Sequence, residues 1–196
     1  YIVPLESVVF EEGSKLETIG AYAFACTTIP DITIPENGKS INEGVFAGCS
    51  KMTSVVLPSG LTSIGNGSFV CTALNNINIP NAVESIGDGV FIFSAIESFN
   101  IPASVKCLGE LALGYQATIN VDENNPNYSS VDGVLYNADN TVLIRYPVAK
   151  ENVSFVIPDT VTSISGSAFR NNTGIVSVTI PDSVKTMAYE AFYDCT

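Results

Sequence analysis

A proline preceded by an apolar residue recurs at Pro35, Pro58, Pro80, Pro102, Pro158 and Pro181, with steps of 23, 22, 22, 56 and 23 residues. No other feature limits the fold so tightly. Eleven residues after each proline stands an anchor, namely Phe46, Phe69, Phe91, Leu113, Phe169 and Phe192, and Phe24 keeps the same rhythm before the first. A fixed period of about 20 to 50 residues means stacked units, each too small to bury its own apolar face.

Positions between these landmarks agree from unit to unit, as a ladder of equivalent buried side chains requires. One and three residues before the prolines stand Ile34/Ile32, Leu57/Val55, Ile79/Ile77, Ile101/Phe99, Ile157/Phe155 and Ile180/Val178. This period-two alternation is that of a short strand with one buried face. With Ile29, Met52, Leu74, Ile96 and Ile175 six residues before the proline, it completes the L-x-x-L-x-L strand signature of leucine-rich repeats. Proline has no N–H for a ladder, so it ends each strand without breaking the sheet. Six residues after the proline come Ile41, Ile64, Ile86, Leu108, Ile164 and Met187, followed in three cases by Gly65, Gly87 or Gly109; glycine there suits a turn at positive φ. A small residue then precedes most anchors (Ala23, Ser68, Ala112, Ala168, Ala191), which predicts a tight helical or 3₁₀ turn. The expected fold is an α/β solenoid over 1–196: a leucine-rich-repeat stack of about seven short parallel strands with short helical or 3₁₀ turns.

The run I-P-x-x-V-x-x-I-G-x-x-A-F-x-x-C-x-x-L resembles the BspA-type leucine-rich repeat. It is carried here by Ile79-Pro80 with Val83, Ile86, Gly87 and Phe91, and by Ile157-Pro158 with Val161, Ile164, Ala168 and Phe169. A second element of that family, N-P-x-Y-x-s-x-D-G-V-L-Y, is similar to Asn125 through Tyr136. It falls inside the long step from Leu113 to Phe169, which leaves roughly 33 residues beyond one repeat. Val134 to Tyr136 and Thr141 to Tyr146 read as strands around the turn residues Asn137-Ala138-Asp139-Asn140, so an irregular insertion with a β-hairpin is expected over 114–152. The resemblance implies a surface-exposed or secreted protein, in bacteria of mucosal surfaces or some parasitic protists, adhering to host matrix proteins and cells.

The charge narrows the partners. Eight basic against 20 acidic residues give a net charge of −12, which repels phosphate backbones and anionic headgroups. No apolar run reaches the ~20 residues of a membrane span, and Tyr1-Ile2-Val3-Pro4 lacks a signal peptide's basic start. The chain opens on strand-like residues and stops within a repeat at Cys195-Thr196; a fragment is expected, its signal and anchoring segments lying outside it. Without a histidine, histidine-based triads and the commonest zinc ligand are excluded. Neither paired carboxylates nor a phosphate-binding glycine loop stands out, so no enzyme activity, catalytic residue, cofactor or metal is expected.

Two surfaces are candidates for a macromolecular ligand. Outward strand positions (Asp31, Thr33, Ser54, Val56, Asn76, Asn78, Ser98, Asn100, Ser154, Val156, Ser177 and Thr179) form a mostly small, polar face. The insertion collects acids, asparagines and tyrosines. As contact residues we take Asn76, Asn78, Ser98, Asn100, Tyr128, Asp132, Tyr136 and Tyr146. The expected partner is a protein or cell-surface macromolecule, reached by an extracellular adhesion module; the alternatives are a spacer projecting another domain and a carbohydrate-active protein. The insertion's oxygen-rich turns lack the spacing of an EF-hand and are read as structural. Cys26, Cys49, Cys71 and Cys195 follow the anchors by two or three residues and are expected to be buried free thiols, whereas Cys107, in a slot held elsewhere by Ser63, Ser85 and Ser163, is expected to be partly exposed and to react first. Asn66, Asn127, Asn152 and Asn171 head N-x-S/T sequons, read as coincidence in a chain rich in Asn and Ser.

Overall fold

The computed structural model describes residues 4–115, 118–148 and 153–196; Tyr1-Ile2-Val3, Asn152 and the outer parts of the expected insertion lie outside them. The fold is a parallel-strand solenoid of about seven turns, and its strands are short. In chain order they are β1 (Thr18–Ile19), β2 (Asp31–Thr33), β3 (Ser40–Ile41), β4 (Ser54–Val56), β5 (Ser63–Ile64), β6 (Ser85–Ile86), β7 (Ser98–Ile101) and β8 (Cys107–Leu108). There follow β9 (Thr118–Val121), β10 (Tyr128–Val131), β11 (Val134–Asn137), β12 (Val142–Arg145), β13 (Val153–Val156), β14 (Ser163–Ile164), β15 (Ile175–Thr179) and β16 (Thr186–Met187). The chain divides into two compact units, residues 1–97 with 104–114 and residues 98–103 with 115–196.

In the first unit, β1, β3, β5, β6 and β8 form one parallel sheet in strict register. Ser40 pairs with Ser63, Ser63 with Ser85 and Ser85 with Cys107, while Ile19, Ile41, Ile64, Ile86 and Leu108 make the adjacent rung. The isoleucines face inward and are buried, each contributing on the order of 1.5–3 kcal/mol. A second ladder pairs β2 with β4, Ile32 beside Val55. Residues 76–79 keep the alternation, with Ile77 and Ile79 buried and Asn76 and Asn78 exposed, but form no assigned strand. Each proline opens a turn: Gly38, Leu61 and Val83 donate their N–H to the carbonyls of Pro35, Pro58 and Pro80. The anchors stack face to face, Phe24 on Phe46 at 5.6 Å, Phe46 on Phe69 at 5.3 Å and Phe69 on Phe91 at 5.6 Å.

No described residue is helical, which corrects the expected helical or 3₁₀ turns. The reason lies in where the backbone N–H groups go. At the corner around Phe46, those of Ala47 and Cys49 bond back three residues within their own coil, whereas those of Gly44, Phe46 and Gly48 cross to the carbonyls of Asn66, Ser68 and Val70 on the next coil. A helix would keep every bond to itself. The corners around Phe24 and Phe69 repeat the arrangement. It sets left-handed residues two before and two after the anchor, as at Tyr22 and Cys26 or Gly44 and Gly48.

The glycine expectation is corrected too. Gly65, Gly87 and Gly109 are absent from the positive-φ residues. Their need is proximity: a Cβ on Gly65 would stand 2.7 Å from the carbonyl carbon of Asn42 and from the amide nitrogen of Glu43.

In the second unit, β7 pairs in parallel with β9 and β13 with β15, and β12, β14 and β16 continue a parallel ladder with Leu143 beside Ile164 and Ile164 beside Met187. Tyr146 resolves the long step. Its ring stacks on Phe169 at 5.2 Å, as Phe169 does on Phe192 at 4.6 Å, and its N–H bonds to Ala168 as Phe169's does to Ala191. Tyr146 is thus an anchor, 33 residues after Leu113 and 23 before Phe169. The 56-residue step holds one ordinary repeat and one lengthened by only about ten residues, not 33.

The excess is a three-stranded antiparallel meander. β10 pairs with β11 and β11 with β12, so the expected hairpin is present and β10 adds to it. Asp132 and Gly133, at φ 50° and 79°, join β10 to β11; Asp-Gly at two successive positive-φ positions is the two-residue turn that matches strand twist.

Candidate binding surfaces

All twelve outward positions are exposed. The alternation that buries the isoleucines leaves their neighbours to solvent, so the face is dictated by the core. Within the second unit the Asn120 amide donates to Asn100 Oδ1 at 3.3 Å, and the hydroxyls of Ser154 and Ser177 bond at 2.9 Å. These bonds between neighbouring coils orient small polar groups outward. Val56 and Val156 interrupt the face with apolar surface.

The motif Asn125 to Tyr136 is built into the fold. Asn125 is buried; its amide donates to Pro102 O at 2.8 Å, while Oδ1 accepts from the N–H groups of Asn127 and Tyr128 at 2.8 and 3.0 Å. One side chain thus ties the meander's entry to the previous coil. Asn137 does likewise at the second turn, its Oδ1 accepting from the N–H groups of Thr141 and Val142. Of the four insertion residues taken as contacts, Tyr128 is half-buried in β10 and Asp132 is exposed at the tip. Tyr136 and Tyr146 correct the reading: they are 2% and 0% exposed, within the core that Val134, Leu143, Ile157 and Phe169 form. Burial pushes the Tyr136 hydroxyl up to about 12, helped by the Asp132 charge, and raises that of Tyr146. An aromatic in this motif is as readily a core residue as a contact, and the sequence does not separate them.

Beside Tyr146 lies Arg145, only 6% exposed. Its guanidinium donates to the carbonyls of Ser167 and Arg170 and stands 5.3 Å from the ring centre of Tyr115. Arg170 O occupies the corner position whose counterparts, Ala47 and Val70, accept a backbone N–H. The coil through Tyr146 has Pro147 there and turns Val148 N–H to Tyr115 O, so an arginine side chain supplies the missing donor. Burial lowers its pKa to about 10, opposed by its electrostatic interaction with the Tyr115 hydroxyl, and it stays protonated at neutral pH. This buried cation is structural.

The five cysteines are free thiols, but only Cys49 is buried; Cys195 is half-buried and Cys26, Cys71 and Cys107 are exposed. The expectation for Cys26 and Cys71 is overturned by one residue of spacing. They stand two after the anchor, at the outward left-handed position. Cys49 and Cys195 stand three after it and point back, each thiol donating to the preceding coil's anchor carbonyl at 3.0 Å. The hydroxyls of Thr27, Thr72 and Ser94 at that same position bond to their own anchor's carbonyl, a signal legible in the sequence.

Exposed large aromatics stand on neither predicted surface. Tyr22 and Phe93 in the first unit, and Tyr189 and Tyr193 in the second, lie at the anchor corners. Arg170 packs over Tyr193 at 4.6 Å and pairs with Glu190. Among the described residues no group of three or more Cys, Asp or Glu could hold a metal ion, and no helix is long and apolar enough to cross a membrane.

The BspA-type leucine-rich repeat region matches residues 1–120 and 149–196, in six copies. Comparison with curated proteins gives no match. A leucine-rich repeat protein of Eubacterium ventriosum is 31% identical, with a TM-score of 0.74, covering 84% of this chain and 51% of that one. A leucine-rich cell surface protein of Faecalibacterium prausnitzii is 27% identical, with a TM-score of 0.65, covering 84% and 52%. The pneumococcal vaccine antigen PcpA shares the fold at 24% identity and a TM-score of 0.76, covering 86% and 49%. The chain thus spans about half the length of these structures. Six repeat copies in sequence and in-register ladders in structure agree: the chain belongs to the BspA-type leucine-rich repeat family.

Proposed function

We propose that this chain is a non-enzymatic, surface-exposed binding and adhesion module. Its contact residues are Asn76 and Asn78 on the outward strand positions of the first unit and, in the second, Ser98 and Asn100 with Tyr128 and Asp132 of the meander. The observation that carries this reading is the exposure of all twelve outward positions, since solenoids offer their strand faces as binding surfaces. The relative described as a cell surface protein supports the location. At −12 the partner is a protein or cell-surface macromolecule without strong negative charge. Immobilised chain is expected to capture extracellular matrix proteins or intact cells above an unrelated protein of equal net charge, and Asn78→Arg or Asp132→Arg to reduce capture. Equal capture by the control overturns the proposal. A spacer role is the second reading, favoured by the lack of aromatic residues among those twelve positions; wild-type capture in those assays decides against it.

A further inference from the structure

One corner of the first unit presents an exposed aromatic. Two residues before the anchor, the left-handed position is glycine in three coils, Gly44, Gly67 and Gly89, and carries a side chain in two, half-buried Leu111 and exposed Tyr22. An aromatic residue at φ 58° is held there against a cost of about 1–2 kcal/mol, and its surroundings account for how. The ring lies across Gly44, where Cδ1, Cε1 and Cζ occupy the space a Cβ would need. Its hydroxyl donates to Glu43 Oε1 at 2.6 Å, and that bond raises the hydroxyl's pKa. Seated below by a glycine and tethered at its tip by a carboxylate, the ring is fixed, yet 55% of the residue remains exposed. A fixed aromatic face turned to solvent is prepared for a flat apolar ligand surface, because ordering it on binding costs no further rotamer freedom.

We infer that the solvent-facing ring of Tyr22 is a stacking platform for one sugar ring of a neutral glycan. The C–H face of a pyranose matches an aromatic ring in size and supplies the positive edge that a π face attracts. The groups beside it suit hydroxyls. Exposed Glu43, Asn66, Asp88 and Glu110 hold the equivalent position in successive coils, about 4.8 Å apart by strand spacing. Asn66 Oδ1 and Asp88 Oδ1 each accept a backbone N–H of the following coil, from Asp88 and Glu110, which fixes these side chains. Carboxylates exclude sialylated or sulfated glycans, and the neutral Asn66 interrupts what would otherwise be a strip for a cationic peptide. This surface is distinct from the strand face and meander, and the inference does not rest on them.

Affinity electrophoresis of the whole chain through gels containing hydroxyethylcellulose, laminarin, galactomannan or arabinoxylan tests it. At least one of these is expected to retard the chain, equally at 0.05 and 0.5 M NaCl. Tyr22→Ala is expected to weaken that retardation about tenfold, while Tyr22→Phe, which keeps the ring, retains most of it; unchanged melting temperatures show that both variants fold. No retardation by any of the four, full retardation of Tyr22→Ala, or binding only to a polylysine probe that salt abolishes, overturns the inference. Loss of matrix-protein capture in the strand-face variants leaves this readout unmoved, so the two proposals fail separately.

Discussion

Gly65 and Gly67 stand two residues apart in one coil and are glycine for different reasons. Replacing each by alanine separates them. At Gly67, φ is +56° and an added Cβ meets only Val70 Cγ1, at an ordinary 3.7 Å. The left-handed backbone costs a side chain roughly 1–2 kcal/mol, and about 0.4–1 kcal/mol returns because alanine stiffens the unfolded chain. The net loss is about 1 kcal/mol. At Gly65 the backbone is unstrained, but the Cβ would stand 2.7 Å from two atoms of the preceding coil's backbone and 3.0 Å from Ile41 O. Backbone cannot rotate aside, so the coils must part by several tenths of an ångström, at roughly 1–3 kcal/mol for overpacking. Parting also stretches the Gly65 N–H bond to Ile41 O, now 2.7 Å, for roughly another 1 kcal/mol. After the same return from the unfolded chain, the loss is about 2–3 kcal/mol. At about 2–4 °C per kcal/mol for a chain of this size, Gly67→Ala should melt ~3 °C below the parent and Gly65→Ala ~8 °C below, followed by circular dichroism. Equal or reversed shifts would refute the assignment of Gly65 to close approach and restore a conformational role.

Thiol labelling of the native protein should modify Cys26, Cys71 and Cys107 early and Cys49 last, read by peptide mass mapping; early labelling of Cys49 contradicts its inward placement. Alkaline titration followed at 295 nm should show a late-ionising group including Tyr136, whose hydroxyl sits near 12. Its folded pKa is raised above the unfolded value, so the stability it contributes is complete below pH ~10 and is lost as the pH climbs through 12; a single transition near 10 would show Tyr136 open to solvent.

The two ladders and the anchor row were legible because each inward position recurs under one geometric demand, and in-register burial leaves little choice but Ile, Leu, Val or Phe. Tyr146 escaped because two landmarks fail around it together: the anchor changes from Phe to Tyr, and Asp122, not proline, follows the strand β9. Gly65, Gly87 and Gly109 are conspicuous in the sequence, but a missing side chain reads the same whether the cause is φ or distance. The corner aromatics give no periodic signal, because the exposure of Tyr22 and Phe93 follows from backbone handedness. The cysteines turned on a one-residue offset that carries a side chain from the outer surface to the inner one.

The meander gives this chain a starting point. In a stack of like coils every strand pairing closes a loop of some 20 residues, and no coil has a head start over another. Between β10 and β12 the pairings close loops of two and four residues, and short loops close at the least entropic cost and the greatest speed. Once formed, β12 presents Val142 and Leu143 in register for Ser163 and Ile164, a template on which β14 and then β16 can add. The irregular coil should therefore order first in the second unit, with pulsed hydrogen exchange protecting residues 128–145 ahead of 153–187. The stretch that most interrupts the repeat would then be the one that sets its register.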